Sequence, residues 1–127
     1  MRNFRELLIW QKGMELVTTV YSFSNLLPKE EMFGLRSQIQ RAAVSIPSNI
    51  AEGCSRTSES DFKRFLEIAI GSTYELETQL SIAQTVHHIS KETTASIFQL
   101  LMEEQKMLNS FISSIKKKNN TNKKANA

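Results

Sequence analysis

Proline and glycine are scarce in this 127-residue chain. Two prolines and four glycines leave few places where the backbone must turn or break, and the Leu-, Glu-, Lys- and Gln-containing remainder favours helices over strands. Cysteine is limited to Cys54, which excludes an internal disulfide and suits a reducing compartment. Thiol catalysis is disfavoured too, because Cys54 follows Glu52 and Gly53 at a predicted helix C-terminus, where the dipole opposes a thiolate. Long apolar runs are missing: the longest, Leu7–Trp10, falls far short of the roughly twenty residues that span a bilayer. Gln11, Lys12 and Glu15 interrupt it before a signal-peptide core could form, so a soluble, cytoplasmic protein is expected.

Groupings that carry catalysis are also missing. Asp61 is the sole aspartate and reads as a helix cap. His87 and His88 are adjacent on a predicted helix, so they diverge by about 100° and cannot chelate one metal as an i, i+4 pair could. A buried or interface role fits His87 better. Glu75 and Glu77 diverge likewise, and no Glu-x-x-His pair points to a di-iron bundle. Glycine-rich phosphate loops, nucleophile elbows and zinc-finger spacings do not occur. The expectation is a non-enzymatic protein with no catalytic residue, metal or cofactor.

The net charge of +3 is unevenly placed. Lys116, Lys117, Lys118, Lys123 and Lys124 lie beyond Ile115, leaving 11 bases against 13 acids in residues 1–115, a balance of −2. Basicity belongs to the tail, which is not the pattern of a uniformly basic nucleic-acid-binding domain.

What is present is helical periodicity. Leu7, Trp10, Met14, Val17 and Tyr21 recur in steps of three and four, while Leu8, Ile9, Leu16, Val20 and Phe23 occupy other parts of the wheel. This first helix, expected over residues 4–26, is apolar around more of its circumference than a lone bundle needs. Trp10, Met14, Val17 and Tyr21 are therefore candidates for an oligomer interface, the alternative being contact with two neighbouring helices.

Pro28 with Glu30 and Glu31 suits the start of a second helix, although Gly34 places its regular part near Leu35. Its stripe is Leu35, Ile39, Ala42, Ile46 and Ile50, with Gly53 as the stop. Pro47 lies inside it, where it removes a hydrogen bond to Ala43 and is expected to kink the helix. Ser45, Ser48 and Asn49 could bond to the freed backbone groups.

Ser58 with Asp61 caps a third helix bearing Phe62, Phe65, Leu66, Ala69, Thr73, Leu76, Leu80, Ala83 and His87. Ser90 starts a fourth with the stripe Ile97, Leu101, Leu108, Phe111, Ile112 and Ile115. Short linkers make consecutive helices antiparallel neighbours, so the fold expected for residues 1–115 is an all-α, up-down-up-down four-helix bundle. Residues 116–127 form a lysine- and asparagine-rich tail with no apolar residues to bury, expected to be disordered.

Within the second helix, Gln38, Arg41, Ser45, Asn49 and Glu52 fall in an arc of about 80° beside the apolar stripe. This polar edge is either a ligand or subunit contact, or a hydrogen-bonded seam that sets helix register and braces Pro47.

The same stretch resembles a known family. Trp10 and Tyr21, then Phe33-Gly34-Leu35, Gln38, Arg41-Ala42-Ala43, Ser45-Ile46-Pro47, Asn49-Ile50-Ala51-Glu52-Gly53 and Arg56, are similar to the bundle proteins named after 23S rRNA intervening sequences. Phe65-Leu66, Ala69, Gly71-Ser72, Glu75, Glu77 and Leu80 extend the likeness, which covers roughly residues 4–115. The resemblance implies a homopentamer arranged as a tapering barrel, and it brings a suggested association with RNA. Candidate nucleic-acid contacts are Arg36, Arg41, Arg56, Lys63, Arg64, Lys116, Lys117 and Lys118. The plainer alternative leaves these cations solvated or paired, Lys63 and Arg64 with Glu67. Partner expectations are thus the chain itself, RNA or a ribonucleoprotein, and, as an alternative, another protein at a scaffold surface without nucleic acid. A small-molecule site would have only the polar edge behind it.

Overall fold

A computed structural model describes the backbone of residues 2–126 and the side chains of residues 2–121. It contains four α-helices and no strand among the described residues: α1 Leu8–Ser24, α2 Leu35–Cys54, α3 Glu59–Val86 and α4 Lys91–Asn126. Short 3-10 turns at Phe4–Glu6 and Lys29–Glu31 precede α1 and α2.

Local chemistry sets most of the ends. Ser58 Oγ accepts the Asp61 N–H at the start of α3, and Ser90 Oγ accepts the Thr93 N–H at the start of α4; both are side-chain caps on orphan donors. The start of α2 is different, because its capping position is Gly34, which has no side chain to offer. Glu31 Oε1 accepts the Leu35 N–H at 3.1 Å instead. A Cβ on Gly34 would stand 2.8 Å from that oxygen, so the glycine makes room for the glutamate cap. Residues 28–31 therefore form a separate turn, and the regular helix begins at Leu35.

The helices follow one another around a square, each packed on its two neighbours with no close backbone approach across either diagonal among the described residues. Paired contacts fix the directions. Gln40 meets Ser24 while Pro47 meets Gly13, so numbers rise on α2 as they fall on α1. Phe62 stacks edge-on with Phe111, and Gln84 reaches Thr94, which makes α3 and α4 antiparallel. Gly53 lies against Phe62 and Phe65, whereas Ser45 bonds Ser72 farther along the α2–α3 seam.

The core is what the stripes of α2, α3 and α4 imply. Ile39, Ile46, Ile50, Phe62, Leu66, Leu76, Leu80, Ile97, Leu101 and Leu108 are fully buried. Each contributes roughly 1.5–3 kcal/mol relative to an exposed side chain. On α1 the inward face is Ile9, Leu16, Val20 and Phe23, the set offset from Trp10, Met14, Val17 and Tyr21.

Helix α4 extends past Lys116–Lys118, where its end was expected, to Asn126. No Pro or Gly follows Ile115, and extending an existing helix requires no new nucleus, so an apolar face is not needed for each added turn. The side chains of Lys123 and Lys124, and all of Ala127, lie outside the described residues. Neither histidine lies within a helix, contrary to expectation: α3 ends at Val86 with His87 as its cap, and His88 takes a left-handed conformation, φ 54°, which turns the chain into α4.

Two glycines make opposite predictions. A Cβ at Gly53 would come within 2.9 Å of Phe65 Cβ, whereas one at Gly71 meets nothing within 4 Å. Gly71→Ala should raise the unfolding free energy by up to about 1 kcal/mol through helix propensity. Gly53→Ala should lower it by about 1–3 kcal/mol through overpacking, both read from urea titrations.

Candidate self-association groove and cationic end

Helix α1 has two apolar faces, and only one is consumed by the core. Met14 and Tyr21 are 41% and 45% exposed, and Trp10 and Val17 are half-buried beside them. With Val44, Pro47, Ser48 and Ala51 of α2, Trp10, Met14 and Val17 line a groove of about 310 Å³. Val44 and Ser48 also line a second hollow that holds Tyr21, Arg41, Ser45 and Asn49. The two form one α1–α2 surface, apolar toward Trp10 and polar toward Arg41.

The polar edge of α2 divides along its length. Ser45 and Ser72 share a hydrogen bond of 2.8 Å across the α2–α3 seam. Asn49 Nδ2 donates to both the carbonyl and the hydroxyl of Ser45, at 2.8 and 2.9 Å. These residues are bonded to one another, while Ser45 and Asn49 also border the hollow that Arg41 lines. Gln38 is exposed and Glu52 pairs with Arg56 at 3.2 Å. Helix α2 runs through Pro47 without a break, and the side chain of Asn49 bonds Ser45, not the Ala43 carbonyl that the proline leaves without its usual donor.

The cationic candidates separate by height along the bundle. Arg36 sits at the α1–α2 loop end, where its guanidinium donates to the Leu27 carbonyl at 3.2 Å, a contact that fastens the loop. Arg41 lies in the polar half of the groove. Arg56, Lys63 and Arg64 gather at the opposite end, around the α2–α3 turn. Arg56 and Arg64 each lie 4.9 Å from the Phe65 ring centre, a cation–π arrangement. Lys63 pairs with Glu67 at 3.5 Å, while Arg64 has no ion pair among the described residues. Lys116, Lys117 and Lys118 are exposed on α4 just past Ile115, the last core residue at that same end.

Three further titratable groups bear on the electrostatics. His87 Nε2 lies 2.6 Å from Glu31 Oε2, and that hydrogen bond, with the Leu35 N–H, holds the Glu31 carboxyl below the ordinary range. Cys54 is buried, and burial pushes its thiol up, the opposite of an activated nucleophile. Glu104 is the third: fully buried, with neither carboxylate oxygen hydrogen-bonded among the described residues. Burial raises its pKa to about 8, opposed only by the charge of Lys12. A Cβ on Gly13 would lie 3.2 Å from Glu104 Oε2 and 3.3 Å from Pro47 Cβ, so α1, α2 and α4 meet at that point.

A profile of the family described as 23S rRNA-intervening sequence protein matches residues 5–110. The chain belongs to this family. A crystal structure of a protein of unknown function from the S23 ribosomal protein family of Bacteroides thetaiotaomicron VPI-5482 is similar at 30% identity and a TM-score of 0.73. The likeness covers 83% of this chain and 98% of that one. Comparison with curated proteins finds no match.

For this 23S rRNA-intervening sequence family member, reading the sequence missed two groups. Arg2 and Arg5 join the cationic end: Arg2 pairs with Glu59 at 2.6 Å and lies over Phe62, and Arg5 lies over Phe4 and Trp10. Antiparallel threading is the signal, since it brings the start of α1, the end of α2, the start of α3 and the end of α4 together. Glu104 was the other omission, though it stands three residues after Leu101 and four before Leu108, on the core stripe itself. No helix among the described residues is long and apolar enough to cross a membrane.

Proposed function

We propose that the chain is a non-enzymatic, self-assembling bundle, pentameric as its family resemblance implies, that associates with RNA through its cationic end. The observation that carries the assembly reading is the exposed α1–α2 groove of Trp10, Met14, Val17, Tyr21 and Val44. Contiguous exposed apolar surface of this kind is a hallmark of an interaction site. A ring of like subunits needs a heterologous contact, in which this face meets a different face of the next copy. Helix α3 offers one, with Ile68 and Ile82 exposed at 42% and 43% on the same side of the helix as Gly71.

The RNA reading is supported by Arg5, Arg56, Arg64 and Lys116–Lys118 gathered at one end, with arginines laid over aromatic rings. Assembly would multiply a weak contact, because five linked copies of a +3 chain gain avidity without any new interaction. No catalytic role is assigned, because the converging polar groups, Ser45, Ser72 and Asn49, satisfy one another.

A second reading, a protein-binding scaffold without nucleic acid, is favoured by one feature. Phe33 is 93% exposed at the α1–α2 loop, beside exposed Met32, an aromatic anchor of the kind common at protein interfaces.

Light scattering behind a sizing column should give a mass about five times 14.5 kDa. Met14→Lys with Val44→Asp should reduce it toward one protomer. A wild-type mass of one protomer would contradict the assembly reading. Labelled single-stranded RNA titrated at two salt concentrations should bind more weakly as salt rises. Replacing Lys116, Lys117 and Lys118 with Gln should flatten the log–log slope by up to about 0.7 per lysine lost. Absence of binding at low salt would leave the scaffold reading in place.

A further inference from the structure

The carboxyl of Glu104 has a position that neither bundle stability nor RNA contact accounts for. An isolated carboxylate buried in a helix bundle is costly unless paired or protonated, and both of its oxygens lack partners among the described residues. It lies where α4 closes on α1, against Gly13, and across Gly13 stands the Pro47 ring. Pro47 is also a wall of the groove that holds Trp10, Met14 and Val17. Glu104 is therefore directly behind the surface assigned above to self-association.

We propose that Glu104 is a proton-binding latch beneath this groove: as a neutral acid it lets α4 seat against the Gly13–Pro47 crossing, and when ionised it draws α4 outward and loosens the groove. The inference rests on the groove being the assembly surface. The charged groups around it are few. On α1, Lys12 acts on it, but the Lys12 ammonium is engaged by Glu103 Oε2 at 2.6 Å. On α4 itself the neighbour is that same Glu103. At this level of α3 the charged side chain is Glu77, which accepts from Gln105. Helix α2 contributes Pro47, which carries no charge. None of these donates a hydrogen bond to Glu104, so among the described residues only a bound proton relieves its carboxyl in place.

The direction follows from linkage. With the carboxyl lifted from the ordinary 4.5 of a solvated side chain to about 8 in the bundle, the closed form holds the proton between those values and a form that exposes the carboxyl to water does not. The closed state is favoured fully at acid pH. Its advantage falls as pH rises from about 4.5, by about tenfold per pH unit, until the folded carboxyl has also ionised near pH 8.

The test compares the wild-type chain with Glu104→Gln, which keeps the shape and removes the proton, and with Glu104→Met as a second variant should the amide impair folding. Urea midpoints are read from the fluorescence of Trp10, the single tryptophan, and mass from light scattering, both across pH 5–9. The wild type should lose stability and mass as pH rises through this range, while both variants stay level. A common pH profile for wild type and variants, with assembly intact, would overturn the latch and leave the groove reading standing. A mass of one protomer at every pH would overturn the groove reading, and with it the coupling to assembly, whatever the urea profile shows.

Discussion

Three helices meet at Gly13, and the packing there links the core to the outer surface of the bundle. A glycine inside an exposed helix is unfavourable by about 1 kcal/mol relative to alanine, yet here its missing Cβ is the space in which the Pro47 ring and the Glu104 carboxyl sit. Much of the remaining architecture is consistent with that contact. It brings α1 down onto α2 so that Ile9, Leu16 and Val20 enter the core. By the same rotation it turns Trp10, Met14 and Val17 outward into the groove. It also places Pro47, which cannot complete the ladder of α2, in a buried position where packing on both sides supports the interrupted turn.

The fold was largely legible because three of the four helices carry unambiguous stripes. Ile39, Ile46 and Ile50 on α2, Phe62, Leu66 and Leu80 on α3, and Leu101, Leu108 and Ile112 on α4 all point inward, as residues spaced by three and four must. Helix α1 was ambiguous for a physical reason: both of its faces are apolar, and sequence spacing cannot say which one the other three helices cover. The end of α4 was less legible, because a segment without apolar residues carries no stripe to mark where the helix stops, and Lys, Asn and Ala continue it to Asn126.

The candidate site was legible in its parts and not in its assembly. Trp10, Met14, Val17, Tyr21, Ser45 and Asn49 do border one surface, but the cations chosen on the same grounds divide between two ends. Arg36 is taken up by the Leu27 carbonyl at one end, while Arg56 and Arg64 share the Phe65 ring at the other. Such grouping depends on threading, which brings residues 2–5 beside residues 56–65. Glu104 escaped notice because a charged residue on an apolar stripe reads as an interruption, when it is in fact the most tightly enclosed acid of the chain. Family membership agrees with this architecture, and the functional proposal adds a groove for sister copies and a cationic end for RNA.

Position 13 carries a steric requirement that Gly13→Ala measures directly. A Cβ there would stand 3.2 Å from Glu104 Oε2, 3.3 Å from Pro47 Cβ and 3.4 Å from Pro47 Cδ, so the rigid ring and the buried carboxyl must both give way by a few tenths of an ångström to admit it. Urea unfolding of the variant should show a loss of about 1–3 kcal/mol, the usual cost of overpacking. A gain of about 1 kcal/mol, as helix propensity alone would give, would show that α1 does not press against Pro47 and Glu104 and would contradict the account.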